Sequence, residues 1–411
     1  MNASEPFSFS CRACASSDGE LVLDLGLQPL ANNLLRAEDL GKPEPRFPLR
    51  LAVCHRCWLL QIVDLVPPVA LFSEYLYFSS FSDAMLRHAK AATERYVAEF
   101  GLGADSFVVE VASNDGYLLQ NFVARGVPCL GIEPAANIAA VARAKGVDTR
   151  AEFFGLKLAE TLAAEGKQAD LILGNNVFAH VPETNDFVAG LEALLRPGGQ
   201  AVLEFPYGGD FIEHCEFDTI YHEHFFYFFL VPLLELFSKH KLEIFHVERL
   251  PIHGGSLRLF AGHPGSHPVR PTVAALLEEE ERHGVRAPAF YRDFSARADG
   301  IRRDLLALLA GLGNERVAAY GASAKGSTLL NFVNPDPAIF EFMADRSTYK
   351  HGRFSPGLHV PIVPAEELLA RQPDYTLLLT WNFADEILDQ QAEYRARGGK
   401  FIVPIPALKV L

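Results

Sequence analysis

The densest reactive run in the chain is Tyr221-His-Glu-His-Phe-Phe-Tyr227, with Glu213, His214 and Asp218 just upstream. Three chemistries could use it. A metal centre needs its ligands on one face, yet His222 and His224 stand two apart and the HExxH spacing of zinc hydrolases is absent. A packed aromatic element with incidental histidines is the second reading. Acid-base catalysis is the third: a histidine near its reference pKa of ~6.5 takes a proton at neutral pH while a carboxylate fixes its tautomer. A different chemistry belongs to the cysteines. Four of the six form two pairs, Cys11-Arg-Ala-Cys14 and Cys54-His-Arg-Cys57. Each CxxC lets two thiolates reach one ion from a tight turn, so together they predict a closed tetrahedral zinc site. With every position taken by the protein, this metal stabilises and does not catalyse. His55 is expected to face solvent, and Cys129 and Cys215 to be ordinary thiols.

These groups need a frame. The spacing of Met85, His88, Ala89, Ala92, Tyr96 and Val97 predicts a helix over 83–100. Strands are expected at Phe107–Val111, Cys129–Glu133, Asp170–Gly174, Gln200–Glu204 and Ser256–Phe260, separated by helix-compatible segments. That order implies a doubly wound α/β domain. The turn after its first strand, Ala112-Ser-Asn-Asp-Gly116, has neither the GxGxxG of a dinucleotide site nor a P-loop. Gly116 still allows close backbone approach, and Glu133 can accept both hydroxyl protons of a ribose. The expected ligand is a nucleoside without a bridging pyrophosphate, such as S-adenosylmethionine, held near Glu110, Ser113, Asn114, Gly116 and Glu133. Asn175, Asn176 and His180, after the third strand, are placed to border its adenine and methyl donor. Arg196-Pro-Gly-Gly199 opens the next strand with a turn common in methyltransferase sheets.

Residues 262–271, GHPGSHPVRP, read as a linker. Beyond it, Phe290, Phe294, Ile301, Leu305 and Leu308 recur at helical spacing. A second strand-turn-helix unit follows: Val317–Tyr320, then Gly321-Ala-Ser-Ala-Lys-Gly326, with later strands at Glu341–Ala344, Tyr375–Thr380 and Phe401–Pro404. Lys325 and Ser323, at a helix start, could take two phosphates. Arg258, Lys350 and Arg353 are further candidates. The expected domains are a small zinc-binding domain (1–70), a class I methyltransferase domain (71–265) and a smaller Rossmann-like domain (266–411).

Composition narrows the partners. Against 37 Lys and Arg stand 51 Asp and Glu, a net charge of −14, which repels polyphosphate backbones and excludes nucleic acid as an expected partner. The longest apolar stretch, Phe225 to Phe237, is broken by Pro232 and Glu235 and falls short of the ~18 residues of a membrane span. The first residues lack the basic and apolar regions of a secretory signal. A cytoplasmic enzyme is expected, and the oligomeric state is open.

The chain resembles the sugar C-methyltransferases that act on nucleotide-linked keto-deoxysugars, including the tetronitrose C-methyltransferases. The resemblance spans the whole chain. It rests on the paired CxxC segments with Leu25-Gly-Leu-Gln-Pro-Leu-Ala-Asn32 between them, Glu110-Val-Ala-Ser-Asn-Asp-Gly116, Tyr221-His-Glu-His224, His253-Gly-Gly-Ser-Leu-Arg258 and Gly321-Ala-Ser-Ala-Lys-Gly326. One departure is Ala112, where many methyltransferases carry the first glycine of the loop. The resemblance implies structural zinc, S-adenosylmethionine in the middle domain and a nucleotide-sugar bound with help from the C-terminal domain. It further implies that His224 is the base with Tyr221 and Glu223 beside it, and that Tyr75 and Tyr77 lie against the cofactor. Carbon methylation needs a carbanion equivalent, which a neighbouring ketone supplies. The expected reaction is proton removal next to a C4 ketone, giving an enolate stabilised by Tyr221 or His222 and methylated, at C3 of a dTDP-linked sugar. The rival readings are an O- or N-methyltransferase and a non-catalytic zinc-stapled module that binds nucleotide-sugars.

Overall fold

The computed structural model describes residues 8–66, 79–81 and 83–411. Its first sheet holds β1 (Gly19–Pro29), β2 (Arg46–Cys54) and β3 (Leu60–Ile62), paired antiparallel. Both cysteine turns end on a left-handed residue, Ala15 at φ 60° and Trp58 at φ 66°. Ala15 N donates to Cys11 O (2.8 Å) and Trp58 N to Cys54 O (2.9 Å), so each turn closes tightly and brings its two thiols together.

The middle domain contributes β4 (Val108–Val111), β5 (Cys129–Ile132), β6 (Thr149–Arg150), β7 (Ala169–Asn175), β8 (Leu195–Pro206), β9 (Phe226–Tyr227), β10 (Glu243–Leu250) and β11 (Ser256–Gly262). Seven of them form one sheet in the order β10-β11-β8-β7-β4-β5-β6. β11 runs antiparallel to β8 and β10, and the other pairings are parallel. Chain order reverses between β4 and β7, which opens a crevice at the carboxyl ends of these strands. The predicted helix is found at Asp83–Phe100, with Met85, Ala89, Ala92 and Tyr96 buried against the sheet.

The third sheet is built from β12 (Val317–Tyr320), β13 (Phe340–Asp345), β14 (Ile362–Pro364), β15 (Tyr375–Leu378), β16 (Lys400–Val403) and β17 (Lys409–Val410). Its order is β14-β13-β12-β15-β16-β17, parallel except for β17. A second reversal, between β12 and β15, opens a second crevice. Helices Pro271–His283 and Ala289–Gly311 join the domains. The seam of the longer one is Tyr291, Phe294, Ala298, Ile301, Leu305 and Leu309, while Phe290 and Leu308 are only partly buried. Tyr291 is drawn inward because it stacks on Trp58 of the zinc-binding domain, with ring centroids 6.4 Å apart.

The zinc-binding sheet takes its fourth strand, β9, from inside the middle domain, with Leu60 opposite Tyr227. One expectation is corrected by this packing. Arg258 is not free to meet a phosphate. It stands opposite Glu204 and Glu248 on the neighbouring strands, and its guanidinium donates to Glu204 Oε2 (2.9 Å) and Glu248 Oε2 (3.3 Å). His88 Nε2 lies 2.9 Å from Glu204 Oε1. Burial alone would raise the Glu204 carboxyl, but His88 and Arg258 outweigh it and hold the group below its usual range. A carboxylate so depressed stabilises the fold above its unfolded pKa of ~4.3, and that contribution is lost as pH falls through the folded value. Arg258→Met strands the buried carboxylate, so urea unfolding at pH 7 is expected to show a loss of about 3–5 kcal/mol. A loss under about 1 kcal/mol, the size of an ordinary surface change, would show that the pair is not stabilising. Among the described residues, no helix is long and apolar enough to cross a membrane.

Candidate active site

The two crevices face each other across one cleft of about 1120 Å³. Single small-molecule pockets run to roughly 300–1,000 Å³, so this one has room for two ligands. The middle domain lines it with Asn114, Glu133, Asn175, Asn176, His180, Tyr221, Glu223 and His224, and the C-terminal domain with Ser323, Lys325, Lys350 and Arg353. Leu30, Asn32, Asn33 and Leu34, between β1 and β2, bring the zinc-binding domain to the same cleft.

At its centre lies the turn Tyr221–His224, closed by His224 N donating to Tyr221 O (2.9 Å). His224 Nδ1 is 3.0 Å from the carbonyl oxygen of Thr219, which can only accept, so Nδ1 carries the proton. Nε2 is then the lone pair, and it accepts from the Tyr221 hydroxyl at 2.5 Å. His180 crosses His224 edge to face, with centroids 4.6 Å apart. Burial lowers the His180 pKa to about 4, against a hydrogen bond to the Glu223 carbonyl, so this ring is neutral at physiological pH. Glu223 is buried among the same groups. Desolvation pushes its carboxyl up to about 7, and the one opposing influence is Asn32, whose Nδ2 donates to Oε1 at 2.8 Å.

His222 leaves this group. Its Nε2 donates to Pro48 O of β2 at 3.1 Å, and the ring is buried against Phe47. His222 thus ties the turn to the zinc-binding domain and does not line the cleft, contrary to its expected place beside an enolate.

The cofactor crevice divides in the same way. Glu133 lines the cleft from the end of β5, and its two oxygens accept from Asn114 N (3.0 Å) and Ala135 N (2.9 Å). Asn114 Oδ1 takes the amide of Ser79 (2.9 Å). Asn176 sits at φ 54°, which presents the loop after β7 to the cleft. Glu110, Ser113 and Gly116 do not line it. Glu110 is buried, and desolvation together with Glu133 and Asp115 raises its carboxyl well above the usual value. Ser113 is fully buried, its Oγ 2.4 Å from where a Cβ on Gly131 would stand. Gly116, at φ 76°, would bring a Cβ to 2.9 Å from Val147, so its close approach is to a neighbouring strand connection and not to a ligand. Ala112 holds φ 54° where a glycine would be easy; the loop keeps its shape at a cost of about 1–2 kcal/mol. Tyr75 and Tyr77 lie outside the described residues.

On the opposite wall, Ser323 caps helix Ala324–Val333 by accepting from Gly326 N (3.1 Å). Lys325 Nζ lies 4.9 Å over the Trp381 ring and makes no hydrogen bond among the described residues. Trp381 Nε1 donates to the buried Asp218 Oδ2 (2.6 Å). Lys350 Nζ donates to Ala322 O (2.8 Å), beside Asp345. From sequence, Asn32 and Asp218 stand in quoted motifs without an assigned role, and Thr219 is not singled out. Thr219 acts through its backbone carbonyl, for which a sequence offers no signal.

The four cysteine sulfurs lie within 4.8 Å of one another, with Cys11 to Cys57 at 3.5 Å and Cys14 to Cys54 at 3.6 Å. A tetrahedron of zinc–sulfur bonds near 2.3 Å has edges of about 3.8 Å, so the thiols fit the ion. His55 turns away from them to Asp18 (3.0 Å).

Three family models match the chain: a zinc binding domain at residues 11–72, a methyltransferase domain at 109–201 and the C-methyltransferase C-terminal domain at 251–406. The C-methyltransferase NovU of Streptomyces niveus is 38% identical over 404 residues, covering 98% of this chain and 96% of its own. A ubiquinone biosynthesis O-methyltransferase of Roseobacter denitrificans is 32% identical over 101 residues, covering 23% of this chain and 39% of its own. The magnesium protoporphyrin IX methyltransferase of Synechocystis, solved with bound S-adenosylmethionine, aligns with a TM-score of 0.33 at 13% identity, over 43% of this chain and 78% of that one.

Proposed function

Because the chain belongs to the S-adenosylmethionine-dependent C-methyltransferases, we propose that it methylates a carbon beside the ketone of a nucleotide-linked 4-keto-deoxysugar, with His224 as the base. The observation that carries this reading is the Tyr221–His224 pair, which presents an imidazole nitrogen and a hydroxyl at one point of the cleft, with the Nδ1 proton held by Thr219 O. An unactivated carbon is no nucleophile, whereas a carbon next to a ketone becomes one on losing a proton.

The resting hydrogen bond masks Nε2. The best acceptor a keto-sugar brings for the Tyr221 hydroxyl is its ketone oxygen, and turning to it does two things at once. It frees Nε2 to take the adjacent carbon-bound proton, and it puts a donor on the oxygen where negative charge develops. Thr219 O then steadies the imidazolium through Nδ1. S-adenosylmethionine, held against Glu133, Asn114, Asn175 and Asn176, supplies the electrophilic methyl. The diphosphate falls to Ser323, Lys325 and the first amides of helix Ala324–Val333, with Lys350 and Arg353 on the same wall. The sugar is proposed to be dTDP-linked and methylated at C3.

A panel of nucleotide-linked 4-ketosugars, incubated with enzyme and S-adenosylmethionine in deuterated water, tests this by mass spectrometry and NMR. The expected product carries a new carbon-bound methyl beside the ketone, and unreacted substrate shows deuterium at the same carbon. Methyl on oxygen or nitrogen, without exchange at carbon, would overturn the enolate route.

A further inference from the structure

Glu223 is a buried carboxyl inside the cleft, and among the described residues Asn32 is the one side chain that hydrogen-bonds it. The two are 191 positions apart and belong to different domains. Asn32 stands on a segment with little freedom. Three residues on, Leu35 exchanges both backbone hydrogen bonds with Phe354 of the C-terminal domain, each 2.9 Å. Arg353 Nη1 reaches Leu34 O at 3.5 Å. Upstream, the segment leaves the end of β1. It is thus a strap fixed at both ends, with an amide hung over the cleft.

We propose that the zinc-binding domain supplies the reaction with a positioning residue, Asn32, which fixes one oxygen of Glu223 and leaves the other to the substrate. This rests on the function proposed above. A buried carboxylate that holds one donor on Oε1 can still accept at its other oxygen, and a sugar hydroxyl or amine beside the reacting carbon is the group that fits. Asn32 also biases charge. Its N–H stabilises the ionised form of a carboxyl that burial would otherwise keep protonated. The other titratable groups around Glu223 on the cleft wall are His180, Tyr221 and His224, and His222 faces β2 instead.

The test uses full-length, zinc-loaded protein and the variants Asn32→Ala, Asn32→Gln, Glu223→Gln and the Asn32→Ala/Glu223→Gln pair. Carbon-13 labelling of glutamate carboxyls, with the Glu223 signal assigned by its loss in Glu223→Gln, gives the titration without any turnover. In Asn32→Ala the Glu223 midpoint is expected to move to higher pH, and in Asn32→Gln to return part of the way. With an active keto-sugar, Asn32→Ala is expected to lower kcat about tenfold with the KM for S-adenosylmethionine unchanged, and to cost nothing further in the Glu223→Gln background. An unmoved Glu223 midpoint, or losses that simply multiply in the double variant, would overturn the role of Asn32. If no keto-sugar turns over while the midpoint still moves, the positioning stands and the proposed reaction falls.

Discussion

His224→Asn is expected to lower methyl transfer by about 10²- to 10⁴-fold, the range over which a positioned general base contributes. Asparagine keeps roughly the length of the side chain and can still donate to Thr219 O, so the turn Tyr221–His224 should keep its shape. It cannot take a proton. S-adenosylmethionine affinity, measured by calorimetry, should stay within about twofold of the parent, because the proposed cofactor contacts are Glu133 and the asparagines and do not include Nε2. Deuterium exchange into the sugar should stop together with methylation. A variant that still exchanges but does not methylate would assign His224 to alignment, and one with normal turnover would remove it from the base role. Tyr221→Phe separates the two parts of the mechanism: exchange should slow with it, since the ketone loses its donor while Nε2 is left open.

Cys54→Ala is expected to be the most damaging single change to the fold. Cys54 is fully buried at the end of β2, and its sulfur lies beside that of Cys14. Structural zinc sites contribute an apparent ~10–16 kcal/mol in isolated fingers; here part of the domain is also held by β9 and by Tyr291, so several kcal/mol is the expected loss. Elemental analysis should show less than one zinc per chain, and thermal unfolding a lower first transition. Activity should fall with the metal, although the ion lies outside the chemistry, because Asn32 and Leu34 reach the cleft from this domain. Full zinc content in Cys54→Ala would rule out the four-thiolate site.

Nine strands can be named from sequence, β4, β5, β7, β8, β11, β12, β13, β15 and β16, and most of them are built on short apolar runs. β10 escapes because its residues Glu243–Leu250 include His246, Glu248 and Arg249, which break the alternation. The structure tolerates a buried His246 beside a partly buried Glu248 because Arg95 and Arg258 meet Glu248, and His246 lies 2.9 Å from the same carboxylate. Buried charge that is paired across elements is invisible to a pattern based on polarity. The same limit applies to Arg258, which looks like a free cation in sequence and is a cross-strand partner in the fold. At the candidate site, residues on loops that leave strand ends were legible: Glu133, Asn175, Asn176, His180, Ser323 and Lys325 all line the cleft. Glu110, Ser113 and Gly116, which flank the cleft-lining Asn114, were not separable from it, because side-chain direction alternates and a local motif does not say which face is wet. Asn32 was legible only as part of a shared motif, since its partner lies in another domain.

The borrowed strand β9 also bears on how the protein comes off the ribosome. Synthesis delivers β1, β2 and β3 first, and N-terminal domains ordinarily fold as units while the rest is being made. Here the β3 edge stays unpaired until Phe226 and Tyr227 have emerged. Through that interval the nascent chain presents an open row of backbone donors and acceptors, the kind of edge that invites pairing with another chain.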